Sequence, residues 1–289
     1  MKYSFIVTTL NRPRELGNCI DSLLSQTEKS FEIIIIDQSD NSLSEQMVLE
    51  KEKSASCITY KKVMYKALSR ARNEALKLVK GDYFALVDDD AVYSPDYLEK
   101  CSMILQEKCI VSGIIKNNSM TEREFMDYSI ADEGEILSLE KVRRMCPSAG
   151  LIFPRTIIKD CGLFDENLGI GAYFGAAEET DMLLRALQNK YFVIHTKQVV
   201  LWHPVSTQTS YEKVRSYARG GGALVKKHLF FYHNFKLFFG GLKLLFYPII
   251  KMILFFYNRE KRSYEINRLI GFYEGFTKYN RELMNKAGV

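Results

Sequence analysis

None of the chain's six cysteines is paired in a C-x-x-C spacing, and Cys19, Cys57, Cys101, Cys109, Cys146 and Cys161 lie apart in apolar segments. This excludes a zinc ribbon or a dithiol redox centre and reads as small buried hydrophobes in a reducing compartment. The opening stretch MKYSFIVTTLN has too short an apolar run for a secretory leader, which places the body of the protein in the cytoplasm. Internal repeats and low-complexity tracts are absent. No window of about 20 nearly uncharged residues exists either, the length a membrane-spanning helix needs.

What is present is enough for a core. The 289 residues are 47% hydrophobic and 26% charged, which allows one large domain with an appended module. The net charge of +5 is unevenly spread. From Glu212 onward there are fifteen Lys/Arg against five Asp/Glu, leaving 25 against 30 in the residues before it. An acidic body with a basic tail suggests two jobs. Nucleic-acid binding is disfavoured, because the basic residues are interleaved with a tract too apolar for a solvated groove.

YSFIVTTL (3–10) reads as a buried β-branched strand, and Pro13 opens a helix with Leu16, Cys19, Ile20, Leu23 and Leu24 on one face. FEIIIID (31–37) is a second strand, apolar without alternation, as in a sheet covered on both faces. SRARNEALKLVKG (69–81) reads as a helix closed by Gly81, and DYFALVDDD (82–90) as a third strand. The alternation predicts an α/β fold, a mostly parallel Rossmann-like sheet flanked by helices. Ligands bind such sheets beyond the carboxyl ends of the strands. There lie Thr8, Thr9, Asn11 and Arg12, then Asp37, then Asp88, Asp89 and Asp90. Further on, SAGLIFPR (148–155) reads as a strand, AEETDMLLRALQ (177–188) as a helix, and YFVIH and VVLWHP as strands flanking a short turn. A helix from Ser210 is expected to be interrupted at Gly220-Gly221-Gly222.

Strand alternation would put Asp88 and Asp90 on one face and Asp89 on the other, more tolerant of change. Two carboxylates on one face can hold a hard divalent cation, Mg2+ or Mn2+. The competing reading is a solvated turn whose aspartates cap the helix starting near Ser94-Pro95.

Taken together, FIVTTLNRPRELGNCIDSLLSQ, FEIIIIDQSD, ALSRARNEALKLVKGDYFALVDDDA, AGLIFPRTIIKDCGLFDENLG and AEETDMLLRAL resemble the family 2 glycosyltransferases of the GT-A fold, across about residues 3–205. The resemblance implies inverting transfer of a sugar from a nucleotide-diphosphate donor, a UDP-sugar favoured, to a hydroxyl of a glycan or lipid-linked acceptor. Such enzymes serve bacterial surface or capsular polysaccharide synthesis. It implies donor binding by Thr8, Thr9, Asn11, Arg12, Asp37, Arg72, Asn73, Asp88 and Asp89. Asp90, Asp88 and His203 would hold Mn2+ or Mg2+. The family's Asp-Asp-Gly-Ser after the second strand is here Asp37-Gln38-Ser39-Asp40, which leaves the nucleotide base open. In Glu178-Glu179-Thr180-Asp181, Glu179 occupies the place of the general base, with Asp181 and Glu178 as alternatives. Residues 1–209 would form the transferase domain, with its nucleotide-sugar half about 1–116 and its acceptor half about 117–209. Residues 210–289 would form a helical tail.

The tract 229–262 is rich in Phe and Leu but carries Lys236, Lys243 and Lys251. Over 237–257, about −7 kcal/mol from apolar side chains against about +6 from two lysines leaves spanning undecided. The lysine spacing favours short amphipathic helices lying on a membrane through residues 228–262, at the inner face of the cell membrane. A buried core helix or a homo-oligomer interface is the alternative. Two other readings compete for the whole chain. A nucleotidyltransferase would want a glycine-rich loop after the first strand, and TTLNRPRE has no glycine. A catalytically inactive membrane-binding module would not depend on Asp90.

Overall fold

The computed structural model describes residues 2–53, 55–117, 135–136, 141–142, 146–204, 210–235 and 238–286. The chain divides into two compact units. The first comprises Met1–Lys66, Ala71–Gly162 and Ala186–Val205, and the second Ala67–Arg70, Leu163–Arg185 and Ser206–Val289.

The first unit is built on one mixed sheet. Its strands are β1 (Tyr3–Thr9), β2 (Phe31–Asp37), β3 (Ile58–Lys62), β4 (Tyr83–Asp88), β5 (Val92–Tyr93), β6 (Cys109–Asn117), β7 (Glu135–Ile136), β8 (Leu151–Pro154) and β9 (Phe192–His203). The order is β3-β2-β1-β4-β8-β6-β9-β5, with β7 beside β9. The long pairings are parallel, while β4–β8, β6–β8, β5–β9 and β7–β9 are short antiparallel ones. Every residue of β1 and β2 is buried, as their unbroken apolar runs require. Helices α1 (Pro13–Leu24), α2 (Leu43–Glu52), α3 (Leu68–Leu76), α4 (Tyr97–Ile104), α5 (Thr156–Cys161) and α6 (Glu178–Gln188) occur along the same stretch of chain. α1 starts on Pro13 and buries Leu16, Cys19, Ile20 and Leu23.

Register sets up the site. Thr9 pairs with Asp37 and Thr8 with Asp88, so β1, β2 and β4 end at one level. Two local expectations change. α3 stops at Leu76 and the chain leaves in a turn, Leu78 donating to the Ala75 carbonyl, so Gly81 is not its cap. The two strands expected around 191–204 are one, β9, whose pairing with β6 jumps from Ser112↔His195 to Ile114↔Val200. The supposed turn is a bulge. It needs Gly113, because a Cβ there would sit 2.7 Å from the Val199 carbonyl oxygen.

The second unit is helical from Tyr211 on. α7 (Tyr211–Lys226) runs into a π-helical turn (Lys227–Phe231), followed by α8 (Phe238–Leu254), α9 (Arg259–Lys278) and α10 (Arg281–Lys286). The glycine triplet does not interrupt α7; it lets other backbone come close. A Cβ on Gly222 would lie 2.1 Å from the Phe272 carbonyl oxygen of α9. Each helical glycine costs about 1 kcal/mol relative to alanine, which the close packing offsets. α8 likewise continues through Pro248, which is buried within it. No described helix is long and apolar enough to cross a membrane.

Candidate active site

At the shared end of β1 and β4 the three aspartates share basic partners, Arg12 lying between Asp89 and Asp90 and His203 between Asp88 and Asp90. β4 ends at Asp88, and a turn closes at once, Ala91 N–H donating to the Asp88 carbonyl over 3.0 Å. The extended form does not persist, so simple alternation fails. Asp89 is the most enclosed of the three, with 8% of its side chain exposed against 16% for Asp90 and 30% for Asp88. Its Oδ2 accepts a 2.7 Å bond from Thr9 Oγ1, and its Oδ1 a 3.1 Å bond from Arg12 Nη1. Asp89 therefore anchors the turn to β1, and the expectation that it faces away and tolerates change is corrected. Burial raises its carboxyl above the usual range, against the pull of Thr9 and Arg12.

Asp90 receives Arg12 Nη1 at 2.8 Å and His203 Nε2 at 3.0 Å. Burial opposes ionisation there, but the hydrogen bond and charge of His203, with Arg12, outweigh it and hold Asp90 below the ordinary carboxylate value. His203 comes from the end of β9, and its Nδ1 lies 2.8 Å from the Pro204 carbonyl oxygen. A proton on Nδ1 bonds that carbonyl and leaves Nε2 turned to the acids. Asp88 lies 3.7 Å from the same Nε2 and 3.6 Å from the Nη2 of buried Arg72, and Ser148 Oγ donates to it at 3.4 Å. Ser148 was invisible to sequence reading, because a short 3-10 turn carries it across 60 positions. Asn73 is buried on α3 beside Arg72 in sequence, and Thr8 is buried on β1.

Asn11 and Asp37 organise the β2 end. Asn11 sits at φ 57°, a left-handed conformation that Asn tolerates. Its N–H donates to Ser39 Oγ at 2.7 Å, and its Oδ1 accepts from Asp40 N–H at 3.2 Å. Asp37 has no exposed surface; Tyr60 Oη donates to one oxygen at 2.7 Å and Ser39 N–H to the other at 2.8 Å. It shapes the loop from within, each of its oxygens already accepting one hydrogen bond from the protein.

Two carboxylates and an imidazole nitrogen thus converge at Asp88, Asp90 and His203. Hard oxygens of this kind suit Mg2+ or Mn2+. Among the described residues no group of three or more His, Cys, Asp or Glu side chains is placed so that it could hold a metal ion.

The second acidic motif lies in the second unit, on the first turn of α6. Ala177, just before it, is held at φ 78°, a strained conformation for a residue with a Cβ. Glu178 is buried and Glu179 half-buried. Asp181 is fully buried and takes Arg185 Nε at 2.9 Å, Lys227 Nζ at 3.0 Å and His228 Nε2 at 2.9 Å. Despite burial, Arg185 and Lys227 hold it far below the usual carboxylate range. A carboxylate clamped in this way has little basicity, so Asp181 is corrected from candidate base to structural hub. Lys227 also reaches Asp165 at 2.8 Å, and Tyr279 Oη donates to Asp165 as well. Sequence reading missed His228, Asp165 and Tyr279 here; they lie up to 114 positions apart and form no motif.

The model of the family described as Glycosyl transferase family 2 matches residues 4–162. An uncharacterized glycosyltransferase of Haemophilus influenzae is 26% identical over 191 residues, 65% of this chain and 63% of that relative, so the match spans less than two thirds of its length. Among solved structures, residues 1–349 of Staphylococcus aureus TarS in complex with UDP-GlcNAc align at TM-score 0.59 with 17% identity, over 94% of this chain and 91% of that one. The mannosyltransferase PcManGT of Pyrobaculum calidifontis, in complex with GDP-Man and Mn2+, aligns at TM-score 0.62 with 13% identity, over 99% and 78%. These likenesses establish a GT-A-like fold.

Proposed function

The chain belongs to glycosyl transferase family 2 and is a glycosyltransferase; on that premise we propose that it moves a sugar, with inversion and with a divalent metal, from a nucleotide-diphosphate sugar to a hydroxyl of a glycan or lipid-linked acceptor. The carrying observation is the convergence of Thr9, Arg12, Asp88, Asp89, Asp90 and His203 where β1 and β4 end in register. That the TarS structure holds UDP-GlcNAc and the PcManGT structure GDP-Man with Mn2+ supports a nucleotide-sugar donor.

Each residue has a stated task. Asp88 and Asp90, with His203 through Nε2, would hold Mg2+ or Mn2+. The ion, when bound, offsets the charge that grows on the leaving diphosphate. Arg12 is half exposed and its guanidinium already faces the acids, so it can add a second cation on the diphosphate side. Arg72 and Ser148 fix the Asp88 carboxylate. Asp89 keeps the turn in place by binding Thr9. Glu179, half-buried at the start of α6, would take the acceptor's hydroxyl proton on its carboxylate. This reading places the enzyme on the cytoplasmic side of a membrane, where a nucleotide-sugar donor and a lipid-linked acceptor could meet.

Thermal shift with a panel of nucleotide-sugars, with and without Mn2+, tests it. A UDP-sugar is expected to raise Tm more with Mn2+ than with chelator, and Asp90→Ala to remove the metal-dependent part. If no nucleotide shifts Tm in either condition, the proposal fails.

A further inference from the structure

The second half of α8 and the turn after it present an apolar stripe that nothing described in the fold covers. Phe246, Ile250 and Ile253 recur three or four residues apart on α8 and so share a face, with 51, 55 and 71% of their surface exposed, and Tyr257 in the turn beyond is 98% exposed. Leu254 and Phe256 widen the stripe. The helix is not loose: Pro248 is buried, and the Arg268 guanidinium of α9 lies 5.5 Å from the Tyr247 ring. A contiguous, rigidly presented apolar surface of this kind marks a binding face.

Its surroundings identify the partner. From Lys243 to Arg262 the chain carries five basic residues and one acid, Glu260. The cations line up with the aromatic rings. Lys251 Nζ lies 5.3 Å from the Tyr247 ring and 5.2 Å from Phe255, Lys261 Nζ 4.9 Å from Phe255, and the Arg262 guanidinium 5.8 Å from Phe256. An apolar stripe fringed by cations matches an anionic lipid surface, with the side chains in the acyl boundary and the ammonium groups at the phosphates. A second copy of the chain fits poorly, because a two-fold contact would set the two cationic fringes against each other. Spanning does not fit either. α8 has 17 residues, about 26 Å of helix against a hydrocarbon core of about 30 Å.

We propose that Phe246–Tyr257 is a monolayer-docking face for anionic lipid, with Lys243, Lys251, Lys261 and Arg262 as its headgroup contacts. This narrows the tract 228–262 read from the sequence, since His228 is fully buried on Asp181 and takes no part. It extends the proposed function by naming the surface on which the enzyme works, and it does not depend on the transfer chemistry.

The test is co-sedimentation of the full chain with phosphatidylcholine vesicles, with and without phosphatidylglycerol. The wild type is expected to bind only the anionic vesicles, more weakly at high salt. Replacing the exposed residues together, Ile253→Ser, Phe256→Ser and Tyr257→Ser, should weaken binding at least tenfold with Tm unchanged. Lys261→Glu alone should weaken it about fivefold or more. The proposal is overturned if the wild type ignores anionic vesicles, or if the triple variant binds them as the wild type does. It is also overturned if the stripe instead makes a dimer that the triple variant dissolves while vesicles are ignored. Donor-dependent Tm shifts in the same variants report on the transferase reading separately.

Discussion

Asp89→Ala is the sharpest test of how the aspartate turn is held. The substitution deletes a short hydrogen bond from Thr9, buried at both ends, and a longer one from Arg12, which is half exposed. A bond to a charged acceptor contributes about 1.5–3 kcal/mol, and leaving the Thr9 hydroxyl buried and unpaired costs about 1–3 kcal/mol more. The exposed Arg12 pair adds at most about 1 kcal/mol. Some of this returns, because the carboxylate is itself penalised by burial. A net loss of about 3 kcal/mol remains as the expectation. The chain's single tryptophan, Trp202, sits on β9 opposite Val92 and Lys116, and so reports on the first unit alone. With a urea slope of about 2 kcal/mol/M, its fluorescence midpoint should fall by about 1.5 M. Asp89→Asn, which keeps an acceptor for Thr9 and buries no charge, should fall by less than half as much. A midpoint for Asp89→Ala within about 0.3 M of wild type at unchanged slope would refute the anchoring argument.

The other predictions concern the second acidic motif. Asp181→Asn leaves Arg185, Lys227 and His228 buried around a neutral group and should cost about 3–5 kcal/mol, read as lost hydrogen-exchange protection in α6 and α7. Glu179→Gln should leave that protection intact and lower turnover about 10²–10⁴-fold. Acid should loosen the second unit in two stages. Burial lowers the His228 pKa from its usual 6.5, so the unfolded chain takes up a proton that the folded one refuses, and stability falls as pH drops below that value. Asp181, held far below its ordinary 3.8, contributes stability that is present above that pH and drains away beneath it. Protection factors of α7 amides, corrected for the intrinsic pH dependence of exchange and followed from neutral pH downward, check both windows, and unchanged protection between pH 7 and 5 would contradict the first.

Much of this arrangement was legible because it is local. Unbroken apolar runs gave β2 to the residue and β1 to within one, and a strand running into Asp88 gave the level at which the site lies. What could not be read depends on groups distant in sequence. Asp37 gives no sign in the sequence of Tyr60, which is found on its second oxygen. Asp89 looks expendable until the turn at Ala91 breaks the alternation and Thr9 meets it. Asp181 looks like a base until two cations and an imidazole, Arg185, Lys227 and His228, are found around it, two of the three from beyond position 226. A glycine misleads in the same way: Gly222 reads as a break by propensity, but tertiary packing decides it.

The charge hub also limits how the protein can be divided. A hydropathy plot invites a cut near residue 209, to discard a greasy tail and keep a soluble catalyst. Such a fragment would retain Asp165 and Asp181 and lose Lys227, His228 and Tyr279, stranding two acids that are fully buried in the intact chain. The helix that presents Glu179 would then be the part that unravels. For protein engineering, the C-terminal helices are a foundation to be redesigned on their exposed side, with their inner side left in place.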